Sequence, residues 1–348
     1  MRAIRFHAAC LAPIALTLAA CGGGADPGAG PQDLAAAEPA AETATALAVR
    51  RPPPGIAHRR AAAAAATAQS NTNVCAAVRP FFWEIGTRNG LVRSGSVGGS
   101  RVTADTVMPY ASASKWLYSA YVVQRRRGVL AHTDVQMLTL RSGSTRFSGC
   151  QPEQTVDACL ASSGNGRYSA GSDGRFSYGG GHFQKHASLN GLGAKTGAGL
   201  AAALKSQLGS DLAIGFSRAQ PAGGAFGTPR AYAGFLRKML GGDLRLGTML
   251  GSRSVCANPK ACAGGEALSS PLAAEDRWRY SLGHWVESDP ETGDGAFSSA
   301  GAFGFYPWID ATRRSYGIVA RVAPSGAWRA SAQCGRLIRQ AWATGVAL

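Results

Sequence analysis

Ala111-Ser112-Ala113-Ser114-Lys115-Trp116-Leu117 is the stretch on which the reading of this chain turns. It sets a hydroxyl three residues before an amine at the start of a helical pattern, and one helical turn brings the two side chains onto the same face. A serine hydroxyl is a poor nucleophile at neutral pH, so a neighbouring group must take its proton. A lysine can do so only when burial and nearby positive charge lower its pKa far enough to leave it neutral. The spacing alone says little: among six lysines and many serines, about one such pair arises by chance. Its surroundings decide.

Outward from that stretch the pattern is mixed. Residues 78–87 alternate and are rich in Phe, Trp and Ile, Arg88-Asn89-Gly90 reads as a turn, and residues 91–97 run back as the second strand of a hairpin. Residues 112–127 read as a helix that Gly128 stops. Helical patterns follow at 198–208 and 229–240, strand-like runs at 280–287, 301–308 and 316–322, and a last helix at 330–342. Strands at both ends with helices between them predict an α/β (α+β) chain. Its antiparallel sheet, built from both termini, would be flanked by helices and carry an inserted, mainly helical lobe. The boundaries fall at 73–111 and 276–348 for the sheet lobe and at 112–275 for the helical one.

Lys and Arg number 36 against 20 Asp and Glu, a formal charge of +16, and most of the excess is scattered arginine. Such a surface favours anionic partners, but no nucleic-acid module is recognisable and neither DNA nor RNA is expected as a partner. Arg2 and Arg5, the apolar residues 8–18 and Leu18-Ala19-Ala20-Cys21 read as an export signal over residues 1–20 ending in a bacterial lipobox. Cys21 is then the lipidation site. Gly22 behind it suggests an outer-membrane lipoprotein facing the periplasm, held to the membrane by its amino-terminal lipid. Secretion with an incidental cysteine is the alternative. Residues 21–72 are rich in Ala, Pro and Gly and read as a tether. The folded domain is expected over 73–348.

Six cysteines remain in that domain, at 75, 150, 159, 256, 262 and 334. An even number in an exported chain argues for disulfides, with fifteen connectivities open. Cys150–Cys159 and Cys256–Cys262 are the local choices, and Cys75–Cys334 would then tie the start of the fold to its last helix. No Cys or His spacing matches a zinc site, so neither a metal nor another cofactor is expected.

Several further segments, in order, resemble the serine β-lactamase and penicillin-binding-protein superfamily, in its class C and esterase branch, over roughly residues 76–342. They are the opening hairpin at 82–98, Thr103-Ala104-Asp105-Thr106, Tyr110-Ala111-Ser112-Ala113-Ser114-Lys115, Leu138-Thr139-Leu140-Arg141-Ser142-Gly143, Arg175-Phe176-Ser177-Tyr178 and Ala222-Gly223-Gly224-Ala225-Phe226-Gly227-Thr228. The resemblance implies Ser112 as a nucleophile that forms an acyl-enzyme, with its own N–H as one oxyanion donor. It implies Lys115 as the base, or as the charge that lets the Tyr178 phenol approach its anionic form and serve as one. A second oxyanion donor is expected near Ser299, with Gly180, Ser298 and Phe303 facing substrate.

Two departures shape the expected chemistry. The second family motif reads Tyr178-Gly179-Gly180 and lacks its asparagine, and the third, K-T-G or H-x-G, is missing from Ala296-Phe297-Ser298-Ser299. Lys195-Thr196-Gly197 spells the third motif ahead of a helical run and reads as a decoy. Without the cation that would hold a substrate carboxylate, the expectation is a monomeric serine hydrolase of a small carboxylic ester or amide. The alternatives are a β-lactamase or DD-peptidase, or a silent envelope-binding relative. His182 and His284 are expected to pack rather than to react. Trp285, Phe305, Tyr306 and Trp308 either line an acyl pocket or fill the core.

Overall fold

The computed structural model describes residues 54–291 and 293–348. The export signal, Cys21 and residues 21–53 of the expected tether lie outside the described residues. Eight antiparallel strands form the main sheet. They are β1 (Phe81–Thr87), β2 (Gly90–Val97), β3 (Val255–Cys256), β4 (Arg279–Tyr280), β5 (Trp285–Val286), β6 (Phe297–Ser298), β7 (Tyr306–Ile309) and β8 (Ser315–Ala320), in spatial order 2-1-8-7-6-5-4-3. The helices are α1 (Pro54–Gln69), α2 (Ser114–Arg125), α3 (His132–Leu138), α4 (Val156–Ala161), α5 (Gly181–Ala187), α6 (Gly197–Leu208), α7 (Pro229–Gly241) and α8 (Trp328–Thr344).

The sheet is built from both ends of the folded domain, as the pattern predicts: Phe82 pairs with Ala320 and Ile85 with Gly317. Alternation along it sorts the side chains. Tyr306 and Trp308 turn toward α8, where Arg339 lies over the Trp308 ring, while Tyr316 turns toward α7, where Arg237 donates to its hydroxyl at 2.9 Å. Buried charge fixes α8. Arg339, 3 % exposed, bonds Glu287 at 2.7 Å, Asp294 at 2.6 Å and the Tyr306 hydroxyl at 2.8 Å. Removing one partner would strand the others without water.

Four expectations need correction. Residues 280–287 are not one strand but the hairpin β4–β5, and 301–308 reaches strand geometry only at Tyr306. The 112–275 lobe is less separate than expected, since it supplies edge strand β3 and helix α7, which packs on β8. The tether also ends before residue 72. Residues 54–69 form α1, which lies along α8 with Ala64, Thr67 and Ala68 fully buried. Alanine is the best helix former, and its small side chain lets α8 supply the bulk of that interface. The carboxyl end closes over it: Leu348 N–H donates to Thr67 Oγ1 at 2.9 Å, and the Asn73 amide donates to Leu348 O at 2.7 Å. No helix among the described residues is long and apolar enough to cross a membrane.

All three cysteine pairs are bridged, Cys75–Cys334, Cys150–Cys159 and Cys256–Cys262, with Cα separations of 4.8, 5.1 and 5.7 Å. Glu266 lies near the last pair, but the sulfurs are bonded to each other and offer no thiolate to a metal.

Candidate active site

Ala111 opens the site with φ at +46°, a left-handed conformation that a side-chain-bearing residue adopts at a cost. That turn sets Ser112 in a short 3-10 segment (Ala111–Ala113) that leads directly into α2. The Ser112 N–H falls among the amides that a helix start leaves without an internal partner. Its neighbour is locked: Ser114 Oγ donates to Ala111 O at 2.6 Å and accepts from Ala225 N–H at 3.0 Å.

Lys115 lies one turn on, 4 % exposed, and donates to Ser112 Oγ at 3.1 Å and to Ala222 O at 3.0 Å. Burial brings its pKa down to about 7, so the neutral amine is accessible near neutral pH. Its Nζ lies 4.8 Å from the centroid of the Tyr178 ring. That ring stacks on Trp285 at 5.4 Å and meets Tyr280 edge-on at 6.1 Å. Burial pushes the phenol up to about 12, and a hydrogen bond with Ser112 pulls it part of the way back. The structure thus brings Ser112, Lys115 and Tyr178 together. Of the two expected divisions of labour it favours Lys115 as the base, because burial lowers the amine and raises the phenol.

The β6–β7 hairpin crosses the site, and Ser299 Oγ donates to Ser112 O at 3.3 Å. The Ser299 N–H, the expected second oxyanion donor, is already used on Pro307 O at 3.2 Å, and Gly301 N–H is used on Phe305 O at 2.8 Å. Successive amides of an extended chain point to opposite sides, so the Ala300 N–H between them points away from β7. It makes no protein hydrogen bond among the described residues. Ser298 does not face substrate. It pairs with Trp308, on the sheet face turned toward α8, and is fully buried. Phe303 sits in the hairpin loop, 36 % exposed, with its carbonyl bonded to Ala323 N–H.

Gly180 offers no side chain, and the reason is local. A Cβ on Gly179 would lie 2.7 Å from Thr145 O, one on Gly180 2.5 Å from the Phe147 ring, and one on Gly181 2.5 Å from Ser144 O and Arg146 O. The segment 144–147 lies on the glycine run, and Phe147 fills the space an asparagine at 180 would need.

The remaining candidates are structural. His182 donates Nε2–H to Ser177 O at 3.0 Å and accepts at Nδ1 from the Ser142 hydroxyl at 2.8 Å, and burial brings it down to about 4. His284 is bonded at both nitrogens, to Leu282 O and Gly251 N–H, and stacks on Trp116 at 5.5 Å. Lys195 is exposed beside Thr196, which caps α6. Phe305, Tyr306 and Trp308 are core, at most 1 % exposed, and Trp285 instead backs the Tyr178 ring. Ala222, whose carbonyl holds Lys115, lies in the Ala-Gly-Gly run of the sequence, whereas nothing in the sequence singles out Ala300 or Phe147.

No protein-family model and no curated protein matches the chain. Solved structures do. A Bacteroides dorei protein described as a β-lactamase superposes with a TM-score of 0.55 at 17 % identity, covering 78 % of this chain and all of that one. This is the serine β-lactamase and penicillin-binding-protein fold. A D-amino acid amidase from Ochrobactrum anthropi (TM-score 0.54, 12 % identity, 76 % and 95 % covered) and an octameric penicillin-binding-protein homologue from Pyrococcus abyssi (0.56, 13 %, 77 % and 74 %) share it. In this fold the start of α2, the loop after Ser177 and the end of β6 meet, through the contacts of Lys115 with Ser112 and the Tyr178 ring and of Ser299 with Ser112 O.

Proposed function

We propose that the protein is a serine hydrolase that cleaves a carboxylic ester or small neutral amide through an acyl-enzyme on Ser112. The observation that carries this reading is the 3.1 Å contact between Ser112 Oγ and a buried lysine whose pKa is about 7. Neutral Lys115 accepts the Ser112 proton as Oγ attacks the carbonyl carbon. The carbonyl π electrons move onto oxygen, which is met by the N–H groups of Ser112 and Ala300. Collapse of the tetrahedral intermediate breaks the bond to the leaving group, which takes a proton from Lys115, directly or through the Tyr178 hydroxyl. Water then attacks the acyl-enzyme by the same route and regenerates Ser112. The Ala222 carbonyl orients the amine throughout.

The absent asparagine and third-motif cation favour a neutral substrate over a β-lactam or a D-Ala peptide. A substrate carboxylate would forgo a charge-assisted bond of roughly 1.5–3 kcal/mol. In the cell the domain would act from an envelope membrane, anchored at Cys21, and radiolabelled palmitate should be incorporated by the wild type but not by Cys21→Ala. The catalytic reading is tested with a fluorophosphonate probe. Wild-type protein should be labelled and should turn over p-nitrophenyl esters faster than nitrocefin, and Ser112→Ala should lose both labelling and turnover. Unlabelled wild type would leave the silent envelope-binding relative as the better reading.

A further inference from the structure

Phe147 has a position that the core does not explain. It is half-buried, takes part in none of the ring pairs of the core, and is absent from the main hydrophobic cluster. Its ring lies over Gly180, where a Cβ would meet Cδ1 at 2.5 Å, Cγ at 2.9 Å and Cε1 at 3.0 Å. Gly180 is two residues from Tyr178, so the ring covers the segment that carries the phenol. Its loop is firmly held. Ser148 N–H donates to Asn165 Oδ1 at 2.7 Å, and the Asn165 amide donates to Gly149 O at 3.0 Å and Cys159 O at 2.9 Å. The Cys150–Cys159 bridge closes the same loop, and Cys150 Sγ packs at 3.6 Å from Ala219 O, three residues before the carbonyl that holds Lys115.

Building on the hydrolase reading above, we propose that Phe147 is a specificity-determining wall that replaces an amide. It selects a neutral substrate carrying an apolar aryl or branched alkyl group beside the scissile bond. A phenyl face offers such a group dispersion and desolvation, and it offers an amide or a carboxylate no donor. The rigid loop gives this selection without ordering the wall at the moment of binding.

The test pairs two series of esters on the full chain: p-nitrophenyl acetate against p-nitrophenyl phenylacetate, and methyl against benzyl acetate. Phe147→Ala should lower kcat/KM for the bulky member of at least one series about ten-fold more than for its small partner. Asn165→Ala, which touches no substrate, should erode the same ratio by letting the loop move. Equal losses for bulky and small esters, with turnover intact, would overturn the inference and leave the hydrolase reading standing. Absence of any ester turnover in the wild type would overturn both.

A second readout needs no activity. Gly180→Asn should lower Tm sharply in the wild-type background and far less in Phe147→Ala, because the smaller residue vacates the space the amide needs. Additive shifts would mean the ring does not occupy that space.

Discussion

The lysine at 115 carries the largest electrostatic departure at the proposed centre, and its consequences can be measured separately on rate and on stability. For the rate, the base must be neutral, so kcat/KM should climb with pH through an apparent pKa near 7 and then stay level, since the phenol at about 12 lies beyond the accessible range. A profile that instead falls above pH 7 would mean the ammonium is the working form. For stability the sign is opposite to that of an ordinary salt-bridged lysine. The folded state releases the proton near 7 while the unfolded chain holds it to 10.5, so the unfolded state binds more protons in that window and stability rises with pH across it. The burial cost below pH 7 is on the order of 4–5 kcal/mol. Lys115→Met should therefore abolish turnover and flatten the increase in urea midpoint between pH 7 and 10. An unchanged slope would show that the amine is not desolvated. Ser112 and Lys115 were legible because one helical turn relates them. The Tyr178 pKa was not, because the groups that bury it include Trp285 and Tyr280, about a hundred residues away.

At the scale of elements the deciding object is the β6–β7 hairpin. Sequence places an oxyanion donor near Ser299, and within the proposed mechanism alternation in the ladder favours Ala300. The Ser299 amide bonds Pro307 O, whereas the Ala300 N–H has no protein partner among the described residues. Two proline variants separate these duties, because proline removes the donor at each position. Ala300→Pro should cut kcat by about 10²–10³ with a modest change in Tm, whereas Ser299→Pro should cost mainly stability by breaking the ladder. The reverse outcome would restore Ser299 as the donor. A one-residue register is invisible to motif matching, since Ala296-Phe297-Ser298-Ser299-Ala300 carries no third-motif residue to anchor the alignment. The missing asparagine was legible as an absence, but its cause was not. The three glycines at 179–181 answer to the segment 144–147 lying on them, a contact that sequence spacing does not encode. Helix α1 was missed for a similar reason: its alanines bury themselves mainly against α8, far away in sequence.

Over the described residues the two ends of the folded domain form one structure, and this is where the alternating hairpin and the last helix were most informative. Strands β1 and β8 pair, α1 lies along α8, Leu348 closes on Thr67, and Cys75–Cys334 links residues 259 apart in sequence. A bridge across so long a loop removes the most conformational freedom from the unfolded chain. The chain-entropy estimate is about 5 kcal/mol, against roughly 2–3 kcal/mol for the nine- and six-residue separations of the other two. The long bridge is also remote in sequence from Ser112, Lys115, Tyr178 and Ala300. Cys75→Ala/Cys334→Ala should therefore lower the urea midpoint more than either local pair of replacements, while kcat on p-nitrophenyl acetate at 25 °C stays within about two-fold of wild type. The local pair Cys150→Ala/Cys159→Ala should do the opposite, with a smaller loss of stability and a larger loss of selectivity, because that bridge closes the loop carrying Phe147. If removing the long bridge changes kcat as much as stability, the joined termini shape the cleft itself, and the sheet cannot be treated as a fixed platform for the serine.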